Sequence, residues 1–294
     1  MYLKQATYLL RFFNTEEKRK SRRFFFDSLR FSAFSLRTFM PAISNMLKKE
    51  RQTYILQQVN LHNKVLSSSL SQEINVSEDT IRRDLQELSS QGKLLKVHGG
   101  ALSHSFGNIQ ILRNGVYSQD EKKVIARKAI PLIKDGMFVL TGGGTTIVEM
   151  ARLLPRDLKA TFVSGSVAAV LEYMEHPNIE VILIGDRVSK SSKITIGSEA
   201  ISKVKQVKAD LCFLGTNAID LEHGVSDNDW EVVQLKKAMI ESSQKVVALS
   251  ISEKIDTRQP IHICPLGSID CLVTELDPGD ERLSAYKKSG IQLI

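Results

Sequence analysis

The sequence predicts an α/β protein in two parts: a small helical domain closed by a β-hairpin, then a larger, mostly parallel α/β domain. Three observations predict it. Residues 48–101 hold three short helical patterns followed by a strand and a Gly-Gly turn. From Glu121 onward, helical patterns alternate with short, continuously apolar runs, as expected for strands covered on both faces. A length of 294 residues suits two domains better than one.

Residues 1–45 belong to neither part. They are rich in Phe, Arg and Ser, with nine basic and three acidic side chains and no helical period. Their apolar runs are too short for a membrane span or for the apolar stretch of a signal peptide. We read 1–45 as a basic extension, either disordered or lying upstream of a natural start at Met46. The segment carries +6 of the chain's net +7, whereas residues 46–102 carry +2 and the remainder −1. Overall basicity is therefore a weak argument for an anionic partner, and local pattern has to carry that argument.

The first domain is read as residues 46–102. Lys48–His62 forms a helix with Ile55, Leu56 and Val59 inward, and Leu66–Ile74 forms a second, shorter one. After a turn at Asn75, Ser77–Leu88 is a third. Ser77 can cap it, Glu78 and Asp79 suit the positive end of its dipole, and Val76 can staple back onto it. Ile81, Leu85 and Leu88 share one face, which leaves Thr80, Arg82, Arg83 and Gln86 off the buried stripe. Helix, helix, tight turn, helix is the helix-turn-helix plan, in which Thr and Arg near the start of the last helix reach base edges and phosphates. Lys93–Val97 and Gly99-Gly100 fit a strand and hairpin turn, a wing whose lysines face phosphate. The candidate DNA-contacting residues are Ser77, Glu78, Thr80, Arg82, Arg83, Gln86, Lys96 and His98. His98 can instead serve as a hydrogen-bonding residue of the wing turn. Asp84 can hold an arginine or cap locally.

The stretch MLKKERQTYILQQV…VSEDTIRRDLQEL…GKLLKVHGGA, from Met46 to Ala101, is similar to the N-terminal domain of the DeoR family of bacterial transcription regulators. The signature runs through Ser77, Thr80, Arg82, Arg83, Asp84, Leu85, Leu88, Gly92, His98 and Gly99. The resemblance implies a winged helix-turn-helix domain bound to double-stranded operator DNA, most often as a repressor.

Residues 103–120 are polar and read as a linker, and 121–294 as the second domain. Its predicted helices are Lys122–Ile133, Thr146–Leu154, Val167–Glu175 and Glu231–Ser242. Its predicted strands are Met137–Leu140, Ala160–Ser164, Glu180–Ile184, Ala209–Leu214, Val246–Leu249, Cys271–Thr274 and Gln292–Ile294. In such sheets ligands bind beyond the carboxyl ends of the strands.

One of those ends is Thr141–Thr146, TGGGTT, between a strand and a helix. Its glycines let backbone N–H groups converge at a helix N-terminus, a setting that favours an anion, and the threonines add hydroxyl donors. It is neither a Walker A loop nor a dinucleotide fingerprint, since no Gly-Lys-Ser/Thr follows and Ile147 occupies the third-glycine position. Ser164-Gly165-Ser166 and Gly215-Thr216-Asn217 follow other strands, and Lys236 and Lys254 lie nearby in the pattern. The candidate effector-binding residues are Gly142, Gly143, Gly144, Thr145, Thr146, Ser164, Gly165, Ser166, Thr216, Asn217, Lys236 and Lys254. Small polar loops with lysine as a point charge suit a phosphorylated sugar or polyol. The sequence leaves open whether the two lysines face that site or solvent.

This half also resembles the family, through GGGTT, IDLEHGVS at Ile219–Ser226, LKKAMIESS at Leu235–Ser243, and Lys254. The resemblance implies a sensor domain related to ribose-5-phosphate isomerase-like and CoA-transferase-like folds, responsive to phosphorylated sugars or their metabolites. Four positions depart from the family's pattern. Thr141 and Ile251 stand where Asp is usual, Gly165 where Asn is usual, and Asp186 where Gly is usual. Three of these changes remove polar groups that would hold a sugar.

Cys212, Cys264 and Cys271 lie in apolar surroundings without CxxC pairing or metal-ligand spacing, so we expect buried thiols, no metal and no cofactor. The expected protein is a cytoplasmic homo-oligomer, dimer or tetramer, away from membranes. An isomerase-like enzyme fused to a DNA-binding module would need a carboxylate general base beside the glycine loop. The family's acidic positions there are Thr141 and Ile251, so no enzymatic activity is expected.

Overall fold

The computed structural model describes residues 46–103 and 116–294. The segment 1–45 and most of the 103–120 linker lie outside the described residues. Helices α1 (Lys48–His62), α2 (Ser67–Ile74) and α3 (Glu78–Ser90) pack around Ile55, Val59, Leu70, Ile74, Ile81, Leu85 and Leu88, each at most 1% exposed. α1 and α2 end at Asn63 and Asn75, both left-handed (φ 62° and 56°), a conformation asparagine tolerates at helix C-termini. Ser77 caps α3, with Oγ accepting from the Thr80 N–H at 3.2 Å.

The second helix starts one residue later than predicted because Leu66 closes an unpredicted strand. That strand, β1 (Lys64–Leu66), pairs with β3 (Gly100–Leu102), which in turn pairs with β2 (Leu95–Val97). The Gly99-Gly100 turn follows from geometry. Gly99 sits at φ 77°, and a Cβ on Gly100 would lie 1.9 Å from the Val65 carbonyl oxygen.

The second domain is built on a seven-stranded parallel sheet. Its strands are β4 (Phe138–Thr141), β5 (Thr161–Ser164), β6 (Glu180–Leu183), β9 (Ala209–Gly215), β12 (Ser243–Leu249), β14 (Cys271–Val273) and β15 (Gln292–Leu293). They lie in the order β15-β14-β12-β9-β4-β5-β6. From β4 the chain builds β5 and β6 on one side, then crosses to build β9, β12, β14 and β15 on the other. β4 and β9 therefore flank the topological switch point, where such sheets open a crevice at their carboxyl ends. The central strands are apolar and buried on both faces, as in Val139-Leu140, Leu211–Leu214 and Val246–Leu249. Helices α4 (Gln119–Ala129), α5 (Thr145–Leu153), α6 (Val167–Met174), α7 (Ser198–Lys205), α8 (Trp230–Glu241) and α9 (Ser284–Lys288) complete the domain.

Several elements differ from expectation. The predicted helix Lys122–Ile133 is α4 followed by a 3-10 turn at Ile130–Leu132, because Pro131 supplies no amide hydrogen for a continuing helix. The hairpin of β7 (Arg187–Val188) and β8 (Thr195–Ile196) went unpredicted. So did α7 and the antiparallel sheet β10 (Ala218–Asp220), β11 (Gly224–Asp227) and β13 (Ile261–Cys264). These strands are short and partly polar, so alternation is hard to see. α7 is capped by a residue distant in sequence, Asp186, whose Oδ2 accepts from the Glu199 and Ala200 N–H groups at 3.1 and 3.3 Å.

Cys212, Cys264 and Cys271 are free and buried, and burial pushes the Cys212 thiol up to about 12. Among the described residues, no helix is long and apolar enough to cross a membrane.

Candidate functional site

Two sites emerge. The first is the outer face of α3 with the wing. Ser77, Glu78, Arg82, Arg83, Gln86, Lys96 and His98 are exposed and Thr80 is half-buried. Arg82 and Arg83 pair along the helix with Glu78 and Asp79 at 3.1 and 3.2 Å. Such exposed pairs contribute little, so both guanidinium groups can exchange these partners for another anion at small cost. Lys96 Nζ donates to Gln86 Oε1 at 2.8 Å and ties the wing to the helix. Asp84 faces the other way. It is 2% exposed and takes Arg51 Nε at 2.5 Å, bracing α3 against α1.

The second site is the cavity at the switch point. Of the predicted effector residues, Gly143, Gly144, Thr145, Thr146, Thr216, Asn217, Lys236 and Lys254 line it. Gly142 and Ser164–Ser166 do not. The Gly142 N–H donates to the Phe213 carbonyl at 3.0 Å. Ser164 Oγ donates to the Thr141 carbonyl, and Ser166 Oγ caps α6 at Ala169. These four residues hold the turns behind the cavity.

Two glycines shape the cavity floor. Gly144 precedes α5 at φ 114°, which leaves the first-turn amides of α5 without a side-chain cap. A Cβ on Gly215 would come within 2.6 Å of the Gly143 carbonyl oxygen, so the loops after β4 and β9 approach closely only with glycine there.

Three lysines converge on this floor. Lys236 is 5% exposed, with Nζ 2.7 Å from Asp227 Oδ2 and 2.9 Å from the Gly215 carbonyl. Lys254 is 9% exposed and donates to the Thr216 carbonyl at 3.1 Å. Neither is a solvent-facing residue. Lys122, unpredicted, is 6% exposed and donates to the Tyr117 carbonyl. It shares a helix phase with Ile125, Ala126 and Ala129, all buried. That placement of a lysine on an apolar stripe was visible in the sequence.

Burial, then the charge of Lys122, pushes Lys254 down to about 7, and burial pushes Lys122 down to about 8. Burial raises the Asp227 carboxyl, but the Lys236 charge and hydrogen bonds from Lys236, Asn228 and Asn217 outweigh it and leave the group below its usual range. Asp229 caps α8, with Oδ1 accepting from the Glu231 and Val232 N–H groups, and its Oδ2 accepts from Ser192 Oγ at 3.1 Å.

His62, Asn63, Lys64 and Leu102 of the first domain also line the cavity. No local signal in the sequence points to them. His62 is held neutral, pushed down to about 4 by burial and then by the Lys254 charge.

None of the four departures from the family's pattern lines the cavity. Thr141 Oγ1 is a buried hydrogen-bond partner of the Tyr173 hydroxyl, and Ile251 packs in the core. Asp186 caps α7. A Cβ on Gly165 would meet Thr195 Oγ1 at 2.4 Å, so a larger side chain there requires buried Thr195 to shift.

Comparison with known proteins matches residues 51–106 to the DeoR-like helix-turn-helix domain and residues 117–276 to the DeoR C terminal sensor domain. The HTH-type transcriptional regulator YulB of Bacillus subtilis (strain 168) is 34% identical over 254 residues, covering 85% of this chain and 98% of its own. The HTH-type transcriptional regulator GlpR of Haloferax volcanii is 33% identical over 255 residues, again covering 85% and 98%. Among solved structures, ribose 5-phosphate isomerase A of Methanocaldococcus jannaschii aligns with a TM-score of 0.36 at 18% identity, over 47% of this chain and 55% of its own. With both domains matched, and relatives of this identity aligned over nearly their whole length, the chain belongs to the DeoR family of helix-turn-helix transcriptional regulators.

Proposed function

We propose that the switch-point cavity binds the phosphate of a sugar or polyol phosphate, and that the bound ligand releases the chain from an operator it represses. The carrying observation is that buried Lys122, Lys236 and Lys254 line one cavity with the uncapped start of α5. Among the described residues, Asp227 is the carboxylate in ion-pair contact with one of the three, while Glu121, Glu149 and Glu253 act on Lys122 or Lys254 only at longer range. Buried cations are costly unless paired, and a dianion among them supplies the missing partner. The first-turn amides of α5 and the Thr145 and Thr146 hydroxyls add donors suited to phosphate oxygens. A relative 26% identical over 249 residues is the glycerol-3-phosphate regulon repressor of Escherichia coli (strain K12), which favours a three-carbon phosphate as the first probe.

We read the chain as non-catalytic. Asp227 is bound to Lys236 and two asparagines, and Asp229 to a helix cap, so neither carboxylate is free as a general base. A homo-oligomer fits the exposed apolar groups Ile182 and Leu183 on edge strand β6 and Leu171 and Met174 on α6. A two-fold pair would present two copies of α3 to operator half-sites. Buried, unpaired thiols fit the reducing cytoplasm.

A thermal-shift screen of phosphorylated sugars and polyols, followed by gel retardation with and without each hit, tests the reading. Gly143→Leu tests the location. A Cβ there meets Ile194 and Ser166 Oγ at ordinary contact distance, 3.5 Å and beyond, so the backbone accepts it while the longer side chain fills the cavity. We expect operator binding retained and ligand release lost. Release unchanged in this variant would refute the cavity as the ligand site.

The lysines also predict a pH dependence. A phosphate monoester is dianionic above about pH 6, so between pH 7 and 9 only the protein changes charge. Lys254 and Lys122 lose protons through about 7 and 8 in the empty protein, and the anion favours their charged forms. Binding therefore takes up protons, and affinity for glycerol 3-phosphate should fall at least about tenfold from pH 7 to 9. Calorimetry in two buffers of different ionisation enthalpy reads this uptake; a flat profile without uptake contradicts it. The empty protein has the opposite trend. Its folded lysines titrate below the unfolded value, so the unfolded chain binds more protons and stability rises with pH from about 7 to 10.

A further inference from the structure

The end of α1 is docked on the cavity by two hydrogen-bonded branches that share one carboxylate. Asp227 Oδ2 holds Lys236 Nζ at 2.7 Å. Its Oδ1 accepts from Asn217 Nδ2 at 3.2 Å and from the Asn228 N–H at 2.7 Å. Asn217, so oriented, presents its Oδ1 to His62 Nδ1 at 3.3 Å, and Gln259 Nε2 of the sensor reaches the same ring nitrogen at 3.3 Å. Asn228 Nδ2 donates to the Lys64 carbonyl at 3.0 Å. Asp227 thus stands between a cavity lysine and both asparagines that grip the DNA-reading domain. His62 and Lys64 are themselves part of the cavity wall, and Lys64 adds a fourth lysine to it.

We propose that the ligand site is a composite of the two domains: His62 and Lys64 complete it, and an anion bound there clamps the helix-turn-helix domain onto the sensor through Asp227, Asn217 and Asn228. This rests on the reading of the cavity as an anion site. The physical reason is differential contact. Lys64 meets the ligand only while the domains are docked, so the ligand must shift the population toward docking, and docking must raise ligand affinity by the same factor. The docked orientation sets where α3 points, and in a symmetric oligomer it sets the separation of the two recognition helices.

The test uses the full chain with inorganic phosphate as probe. Calorimetry compares wild type with Lys64→Ala, with Asn228→Ala, whose side chain belongs to the sensor, and with Lys236→Met. Circular dichroism melts confirm that each variant folds. In parallel, spin labels at Gln91→Cys and Glu222→Cys, both exposed positions, report the distance between domains, since the three native thiols are buried. Lys64→Ala and Asn228→Ala should each weaken phosphate binding about tenfold, the scale of one charge-assisted contact. Phosphate should also narrow the wild-type distance distribution to the docked one. The composite site is overturned if both variants bind phosphate as wild type does and the distances ignore phosphate, while Lys236→Met loses binding; the anion site would then belong to the sensor alone. A folded wild type that binds no phosphate overturns the anion reading and the composite site together.

Discussion

Replacing Arg82 and Arg83 together with alanine is expected to abolish operator retardation in a gel-shift assay at moderate salt. Both guanidinium groups stand on the exposed face of α3, with side chains 60% and 83% accessible. Each base-edge contact of this type contributes about 1–3 kcal/mol, so losing two costs roughly 30-fold to 20,000-fold in affinity. Any share made to phosphate appears instead as a shallower salt dependence, by about 0.9 in the log–log slope per contact. The fold should survive, because the variant gives up only surface ion pairs with Glu78 and Asp79. Buried Asp84 keeps its bond to Arg51. A double variant that melts like wild type and still retards operator DNA would remove α3 from the interface.

Lys236→Met is expected to unsettle the sensor domain and silence it at once. The substitution leaves the Asp227 carboxylate buried without its cation, a change that costs about 3–5 kcal/mol. For a domain of this size that lowers the melting temperature by roughly 10 °C. Adding Asp227→Asn removes the stranded charge and should recover most of the loss. The recovered double variant separates stability from sensing: it should be folded yet unresponsive to glycerol 3-phosphate. A double variant as unstable as Lys236→Met would show that the pair does not act as a charge unit, and one that still responds would take Lys236 out of the ligand site.

Much of the DNA-reading half is legible in the amino-acid order because its signals are short-range. The Ser77 cap lies three residues from the amide it satisfies, and Ile81, Leu85 and Leu88 repeat within two turns. The Asn75 turn and Gly99-Gly100 need only local backbone conformation. Asp84 admits two roles on sequence alone, and its partner, Arg51, lies 33 residues away on another helix. In the sensor half, apolar runs reveal the parallel strands. The short, partly polar strands β10 and β11 stay hidden because their pairing, not their composition, makes them strands.

The glycine loop TGGGTT and the lysines at 236 and 254 can be nominated from strand-end position and residue type alone. Their depth cannot. Burial of Lys236 and Lys254, the pairing with Asp227, and the arrival of Lys122 from α4 depend on how the order of strand addition reverses between the parallel strands β4 and β9. The same holds for the roles of Ser164–Ser166 as turn braces and for the four departures, which lie away from the cavity. The contact of His62 with Asn217 spans 155 residues, and that of Asn228 with Lys64 spans 164. Caps, periodicity and turn chemistry act over a few residues, so the amino-acid order alone was enough to mark a helix-turn-helix domain and to nominate its last helix for DNA and one glycine loop for an anion. Desolvation and charge pairing act between groups that only folding brings together, and so it took the folded chain to show that the loop, its lysines and the end of the first helix share one cavity.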